Sequence, residues 1–252
     1  MNFLKHAISV GLEAIAPKLL LDLHILRRNR NLGPEYWLLP RLCQKSRVSL
    51  DVGGNRGWFA YYIARHSREV HVFEPNPICQ AQVARLQTRN MTIHKVGLSD
   101  HAGEALMRFD PNNTGIGTIE ARNTLTGNPG IGALTELNVP IKTLDDFDFS
   151  DVGFIKIDVE GHEPAVLRGG RVLLATNRPV LLMELELRHN PSAFDEVWAV
   201  LDPLGYRMKA CTPGGLVPVD RAQIASLQTG TPETNPRYIN NFVFAPPDRT
   251  DI

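Results

Sequence analysis

The side chains best placed for chemistry stand where apolar runs stop. Asp51 leads into Gly53, Gly54 and Gly57; Glu74 ends the run from Val70 to Phe73; Asp158 and Glu160 end a third run, and Glu184 and Glu186 a fourth. A strand running into glycines lets a ligand approach bare backbone, although such turns also join strands to helices for steric reasons alone. Glu74, 23 positions on from Asp51, falls at the tip of the next strand, where an acid can accept both hydroxyls of a ribose. Gly53, Gly54 and Gly57 do not fit the Gly-x-Gly-x-x-Gly pattern that a dinucleotide pyrophosphate needs. The zwitterionic end of S-adenosyl-L-methionine needs instead an acceptor for its ammonium, which Asp51 can supply directly or through water.

Asp158 and Glu160 are two apart along an extended chain, so both side chains are expected on one face until Gly161 turns the backbone. Carboxylates at a strand end meet a cation, a metal or hydroxyl donors, and Lys156 is the structural alternative to a functional partner. His162, between Gly161 and the helix start Glu163-Pro164, is the first candidate for general base, with Asp158 or Glu184 as alternatives and helix capping as the bland role. Asp158, Glu184 and Glu186 offer hard oxygen ligands of the kind magnesium takes, but their spacing matches no metal motif, and hydrogen bonding to a sugar-like hydroxyl is preferred; no metal is predicted. Trp58 either anchors the first helix, the favoured reading, or stacks near a cofactor. The polar, glycine-bearing run 112–118 forms an acceptor pocket or a surface loop.

Strands over 48–52, 70–73, 91–96, 154–159, 180–185 and 206–210 alternate with helices over 58–66, 77–89, 164–174 and 192–204, which is the rhythm of a parallel α/β sheet. Residues 103–140 interrupt it with glycines, asparagines and short alternating segments at 104–109 and 137–142, the marks of a β-hairpin or an irregular insertion. Residues 212–236 read as a long loop with one short helix over 221–227, and 241–245 as a final strand.

The runs Leu50-Asp51-Val52-Gly53-Gly54-Asn55-Arg56-Gly57, Phe73-Glu74-Pro75-Asn76, Leu98-Ser99-Asp100 and Ile155-Lys156-Ile157-Asp158-Val159-Glu160-Gly161-His162-Glu163 resemble, in order and spacing, the FkbM-type methyltransferases. The resemblance covers about residues 47–246. It implies a class I, Rossmann-like α/β fold with a mostly parallel seven-stranded sheet, helices on both faces and an antiparallel edge made by the last two strands. Around that domain stand an N-terminal helical extension over 1–46 and a tail over 247–252. It further implies S-adenosyl-L-methionine as cofactor, held by Asp51, Gly53, Asn55, Gly57, Glu74, Asn76, Ser99, Asp100 and Asp158, with Asp100 near the adenine. His162, Asp158 and Glu184 are then the catalytic candidates for O-methylation of a sugar, glycolipid or polyketide-like natural product. A nicotinamide-dependent oxidoreductase is the second reading, weakened by the glycine spacing and by the want of a Tyr-x-x-x-Lys pair; a non-catalytic domain of the same fold is the third.

Lys and Arg together number 27, balancing 27 Asp and Glu, so no long-range field favours nucleic acid, and a small-molecule or glycan acceptor is expected. Cys43, Cys79 and Cys211 show neither disulfide nor zinc spacing, which points to a reducing, cytoplasmic setting. Glu13, Pro17, Lys18 and Asp22 interrupt the greasiest stretch before it reaches the ~20 residues of a spanning helix, and Glu13 breaks the apolar region a signal peptide needs. Leu4, Ile8, Leu12, Ile15, Leu19, Leu23 and Leu26 still mark one helical face. Packing on the core is favoured for it over peripheral membrane contact or a substrate lid, although Arg27, Arg28 and Arg30 suit lipid headgroups. Nothing in the sequence sets an oligomeric state.

Overall fold

The computed structural model describes residues 16–26, 33–125, 131–232 and 234–252. It opens with helices α1 (Pro17–Leu26) and α2 (Pro34–Leu42), each beginning on a proline whose missing amide falls in the first turn. Next come β1 (Val48–Val52), α3 (Trp58–Ala64), β2 (Glu69–Phe73), α4 (Pro77–Leu86) and β3 (Met91–His94), two βαβ units whose three strands pair in parallel. β1 is buried at every position, as a strand covered on both faces must be.

β4 (Gly97–Leu98), β5 (Gly103–Asp110), β6 (Asn113–Thr118) and β7 (Thr135–Lys142) form a separate sheet in the order β4-β7-β5-β6. The expected hairpin segments are the antiparallel pair β5 and β7. β6 was hidden in the run read as a pocket or loop, because Gly115 and Gly117 depress strand propensity; pairing with β5, Arg108 opposite Thr118, supplies what the local sequence lacks.

The chain then returns to the main sheet through β8 (Val152–Ile157), α5 (Glu163–Arg168), α6 (Arg171–Asn177), β9 (Val180–Glu184), α7 (Ala193–Leu201), β10 (Arg207–Thr212), β11 (Gly215–Pro218), α8 (Ile224–Leu227) and β12 (Asn241–Ala245). The single helix expected over 164–174 is split at Gly169 and Gly170; a Cβ on Gly169 would lie 2.0 Å from the Ser99 carbonyl oxygen, so the chain there is pressed against the residues after β4. Strand order is β11-β10-β12-β9-β8-β1-β2-β3, with β12 antiparallel between β9 and β10. The seven expected strands are present, and β11 adds an eighth by folding back on β10 where a loop was expected.

Two apolar layers cover the sheet. Leu50, Val52, Ile155, Ile157 and Met183 point to one, and Val70, Val72, Phe154, Leu182 and Val243 to the other. α1 docks on α3: Tyr61 donates to Asp22 at 2.9 Å, Arg65 pairs with Asp22, and Leu20 and Leu21 are buried while Leu19 is exposed. That phase differs from the expected face through Leu19 and Leu23, because docking from Pro17 onward sets the rotation of the helix. Leu4, Ile8, Leu12, Ile15, Arg27, Arg28 and Arg30 lie outside the described residues. Among those described, no helix is long and apolar enough to cross a membrane. The expected tail is docked as well, with Ile252 buried and its carbonyl accepting from Lys209 at 2.6 Å.

Candidate functional site

At the carboxyl ends of β1, β2 and β8 the molecule holds a cleft open to solvent, the place where ligands of open α/β sheets sit. One wall is the glycine turn with Glu74, a second is β6, and a third carries Asp158, Val159 and Glu160; Phe73, Leu98, Met107 and Ile119 supply apolar surface between them.

The glycine turn is fixed by packing as much as by any ligand. Gly53 has φ +82, and a Cβ there would stand 1.9 Å from the carbonyl oxygen of Asp158, so two cavity walls touch at this residue. Gly57, at φ +78, lies against the backbone of Val83 in α4 and does not line the cleft. The amides of Gly53 and Gly54 both donate to the Phe73 carbonyl, at 3.0 and 3.1 Å, which draws the turn against the end of β2.

Glu74 sits in that wall. Its two carboxylate oxygens accept one backbone N–H each, from Asn55 at 2.7 Å and Asn76 at 2.8 Å. A carboxylate offers about four lone-pair positions, so about two remain for a ligand. Burial pushes the Glu74 carboxyl up to about 7, against the lowering effect of the two amides. Asn55 lines the cleft. Asn76 does not: its side chain caps α4 by accepting from the Ile78 N–H, and its amide holds Glu74.

Asp51 lies behind the wall. It is 0 % exposed, among the described residues neither oxygen has a hydrogen-bond partner, and the Lys156 ammonium stands 3.7 Å away. Burial pushes it up to about 6, with Lys156 pulling the other way. The ammonium that sequence reasoning expected from a ligand is therefore faced by one from β8. Lys156 also donates to the Gly53 carbonyl at 3.3 Å and to Asp158 Oδ2 at 3.1 Å, and lies over the Phe59 ring.

Asp158 and Glu160 both line the cleft, but not as neighbours on a pleat. β8 ends at Ile157 and the chain turns at Glu160, which has the left-handed φ of +53, one residue before Gly161 at φ +101. Glu160 Oε2 lies 3.2 Å from His189 Nδ1, and the Glu160 carbonyl accepts from Thr118 at 3.0 Å and Asn123 at 2.8 Å. Glu184, at the end of β9, stands behind this wall and accepts from Asn240 at 2.8 Å; burial, reinforced by Asp158, Glu160 and Glu186, raises its carboxyl well above the ordinary range. Glu186 is a structural ion pair: burial acts to raise its carboxyl, but Arg188 and the Tyr238 hydroxyl, at 2.7 Å, hold it down at about 2. Among the described residues no His, Cys, Asp and Glu side chains are grouped as a metal needs.

Ser99, Asp100 and His162 are brought together, but outside the cleft. His162 Nε2 is 2.9 Å from Ser99 Oγ, and its Nδ1 is 3.2 Å from Glu120 Oε2, so both ring nitrogens are engaged away from the cavity wall. Burial acts to raise the Glu120 carboxyl, yet bonds from His162 and Arg122 hold it at about 2. A carboxylate can only accept, so Nδ1 donates, and a neutral ring then takes the Ser99 proton at Nε2. Asp100 faces solvent, bound to Arg168 at 3.0 Å and His101 at 2.8 Å; Gly97 and Leu98, just before it, reach the cleft in its place. Trp58 packs in the core beside His24 and does not line the cleft. Thr118, Glu120, Asn123, Tyr238 and Asn240 escaped sequence reasoning because no motif marks them. Only the polar run through Thr118 offered a signal.

A mostly parallel sheet with β12 reversed between β9 and β10 and β11 reversed at its edge, helices on both faces and a cleft over the first glycine turn define the class I, Rossmann-like methyltransferase fold. Residues 51–208, more than half of the chain, match the Methyltransferase FkbM domain, and the protein belongs to that family. It is 28% identical over 152 residues to Methyltransferase sdnD of Sordaria araneosa and 32% identical over 145 residues to Methyltransferase 1 of Beauveria bassiana. Each match takes in 48% of this chain, and 59% and 57% of the respective relatives, so the chain spans less than two thirds of their length. The crystal structure of Methyltransferase FkbM from Methylobacillus flagellatus shares the fold at 17% identity and a TM-score of 0.51, over 84% of this chain and 50% of that one.

Proposed function

We propose that this protein transfers the methyl group of S-adenosyl-L-methionine to a hydroxyl of a sugar, glycolipid or polyketide-like acceptor. The observation that carries the donor half is Glu74: a buried carboxylate in the cleft wall, held by two backbone amides and with acceptor capacity to spare for a ribose diol. Phe73 and Leu98 line the cleft with apolar surface of the kind an adenine needs. When bound, the sulfonium supplies an electrophilic methyl; the acceptor oxygen forms the new C–O bond as the C–S bond breaks, and the hydroxyl proton passes to a protein base.

Asp158 is the residue this reading favours as base. Its side chain is 27 % exposed on the cleft wall, and with Oδ2 engaged by Lys156 the other oxygen is the one to take a proton. His162 ranks below it because Ser99 and Glu120 occupy both ring nitrogens, and Glu184 because it does not line the cleft and is bound by Asn240. An anionic acceptor is disfavoured by the lining, where Glu74, Asp158 and Glu160 stand with no lysine or arginine among the described residues.

Thermal unfolding with S-adenosylhomocysteine against NAD tests the donor. A ligand at a hundredfold excess over its Kd stabilises the native state by about 2.7 kcal/mol. The expected result is a raised Tm with S-adenosylhomocysteine alone. A rise with NAD alone identifies an oxidoreductase, and no rise with millimolar S-adenosylhomocysteine removes the donor assignment.

A further inference from the structure

The turn that carries Asp158 and Glu160 takes part of its support from outside its own segment. Glu160 adopts a left-handed conformation that a residue with a Cβ keeps only when its surroundings fix it, and both donors on its carbonyl come from the inserted segment after β5. Thr118, at the end of β6, uses its hydroxyl in both directions: the proton goes to the Glu160 carbonyl, with the Val159 carbonyl farther off at 3.5 Å, and the oxygen accepts from the Glu120 N–H at 2.9 Å. Asn123 does the same with its amide, donating Nδ2–H to Glu160 and accepting from the Leu125 N–H at 3.0 Å. Between them, Glu120 reaches His162, and Arg122 bonds Glu196 at 2.9 Å and Ser192 at 3.1 Å, which fastens the strap to α7. On either side of Glu160, the amides of Val159 and Gly161 donate to Glu163 Oε1 at 3.1 and 3.0 Å, so their protection reports whether the turn is formed.

We infer that Thr118 and Asn123 are positioning residues for methyl transfer: through the Glu160 carbonyl they hold the turn that presents Asp158 and Glu160 to the cofactor cleft. The consequence reaches the donor because the Asp158 carbonyl lies against Gly53, so a displaced turn moves both walls. The role in transfer rests on the function proposed above; the mechanical link does not.

The test uses the full chain with three substitutions. Thr118→Val keeps the shape and removes the hydroxyl, Thr118→Ser keeps the hydroxyl, and Asn123→Asp keeps the acceptor for Leu125 while losing the donor to Glu160. Hydrogen exchange at the Val159 and Gly161 amides is read beside calorimetric affinity for S-adenosylhomocysteine. Thr118→Val and Asn123→Asp are expected to speed exchange at these amides and to weaken the ligand, each about tenfold, the scale of one buried hydrogen bond, with Thr118→Ser near the unsubstituted protein. Exchange unchanged at those amides overturns the link. Exchange raised equally there and in β5 and α7 overturns it too, since that is a general loss of stability. Faster local exchange with unaltered affinity overturns the presentation to the cleft. If the unsubstituted protein binds no S-adenosylhomocysteine, the proposed function fails, and the exchange comparison still decides whether the strap holds the turn.

Discussion

Glu74 takes its two donors from Asn55 and Asn76, within a single βαβ unit, whereas Glu160 is held by Thr118 and Asn123, in an inserted segment some 40 positions away in the chain. The first wall is made of backbone amides whose placement follows from the turn and the helix cap. The second is made of side chains, Lys156 on Asp158, His189 on Glu160 and Asn240 on Glu184, each fixed by tertiary packing. Backbone donors survive almost any substitution that leaves the fold intact; side-chain donors are lost with one. The donor wall should therefore be robust and the opposite wall sensitive to change in distant elements.

Breaking the point where the two walls meet should give the largest effect. In Gly53→Ala the new Cβ falls 1.9 Å from the Asp158 carbonyl oxygen at φ +82, so neither wall can stay in place. A loss of roughly 3 kcal/mol or more in urea unfolding is expected, the range of strained and overpacked sites. Gly215→Ala, at φ +112 with no atom within 4 Å, carries only backbone strain and should lose about 1 kcal/mol. Similar losses in the two variants would show that Gly53 is needed for its dihedral alone and that the walls are not coupled there.

The same contrast explains what could be read from the sequence. Asp51, Gly53, Glu74 and the Asp158 to Glu163 run are spaced by the period of strand and helix, so their placement at one rim follows from the pattern itself. What pattern cannot give is which way a side chain turns once packing competes: Asp51 faces Lys156, His162 faces Ser99 and Glu120, and Asp100 faces Arg168. β6 was missed for a related reason, since two glycines remove the local strand signal and only pairing with β5 restores it.

The wall comparison sharpens with Glu74→Gln against Glu184→Gln. Gln at 74 must turn an NH₂ toward one of the two amide donors and loses the charge, so S-adenosylhomocysteine affinity is expected to fall about 10–100-fold by calorimetry. Glu184→Gln removes a carboxyl already raised by burial and by neighbouring acids, behind the cleft, and affinity should change by less than about threefold. Equal losses would place the ligand across both walls.

The smallest expected effect is a pH dependence with two opposed slopes. Burial raises Glu74 and Glu163 to about 7 and Asp51 to about 6, from ordinary values of 4.5, 4.5 and 3.8, so the folded protein keeps protons that the unfolded chain releases. Their stabilisation is fully present below the unfolded values and is lost as pH rises through the folded ones, so the Tm of the ligand-free protein should fall from pH 5 to pH 8. Glu120 and Glu186, held at about 2, act in the other direction, and their contribution, present above 4.5, is lost as pH drops toward 2. Affinity for S-adenosylhomocysteine should run against the first slope. A ribose diol donates to the ionised Glu74, so protonation below pH 7 competes with the ligand and weakens binding by up to about tenfold per pH unit. Calorimetry at pH 6 and pH 8 reads the effect, and Glu74→Gln should flatten it. A pH-independent affinity in the unsubstituted protein would mean that the ribose does not meet Glu74 and that the ligand is held from the Asp158 side of the cleft.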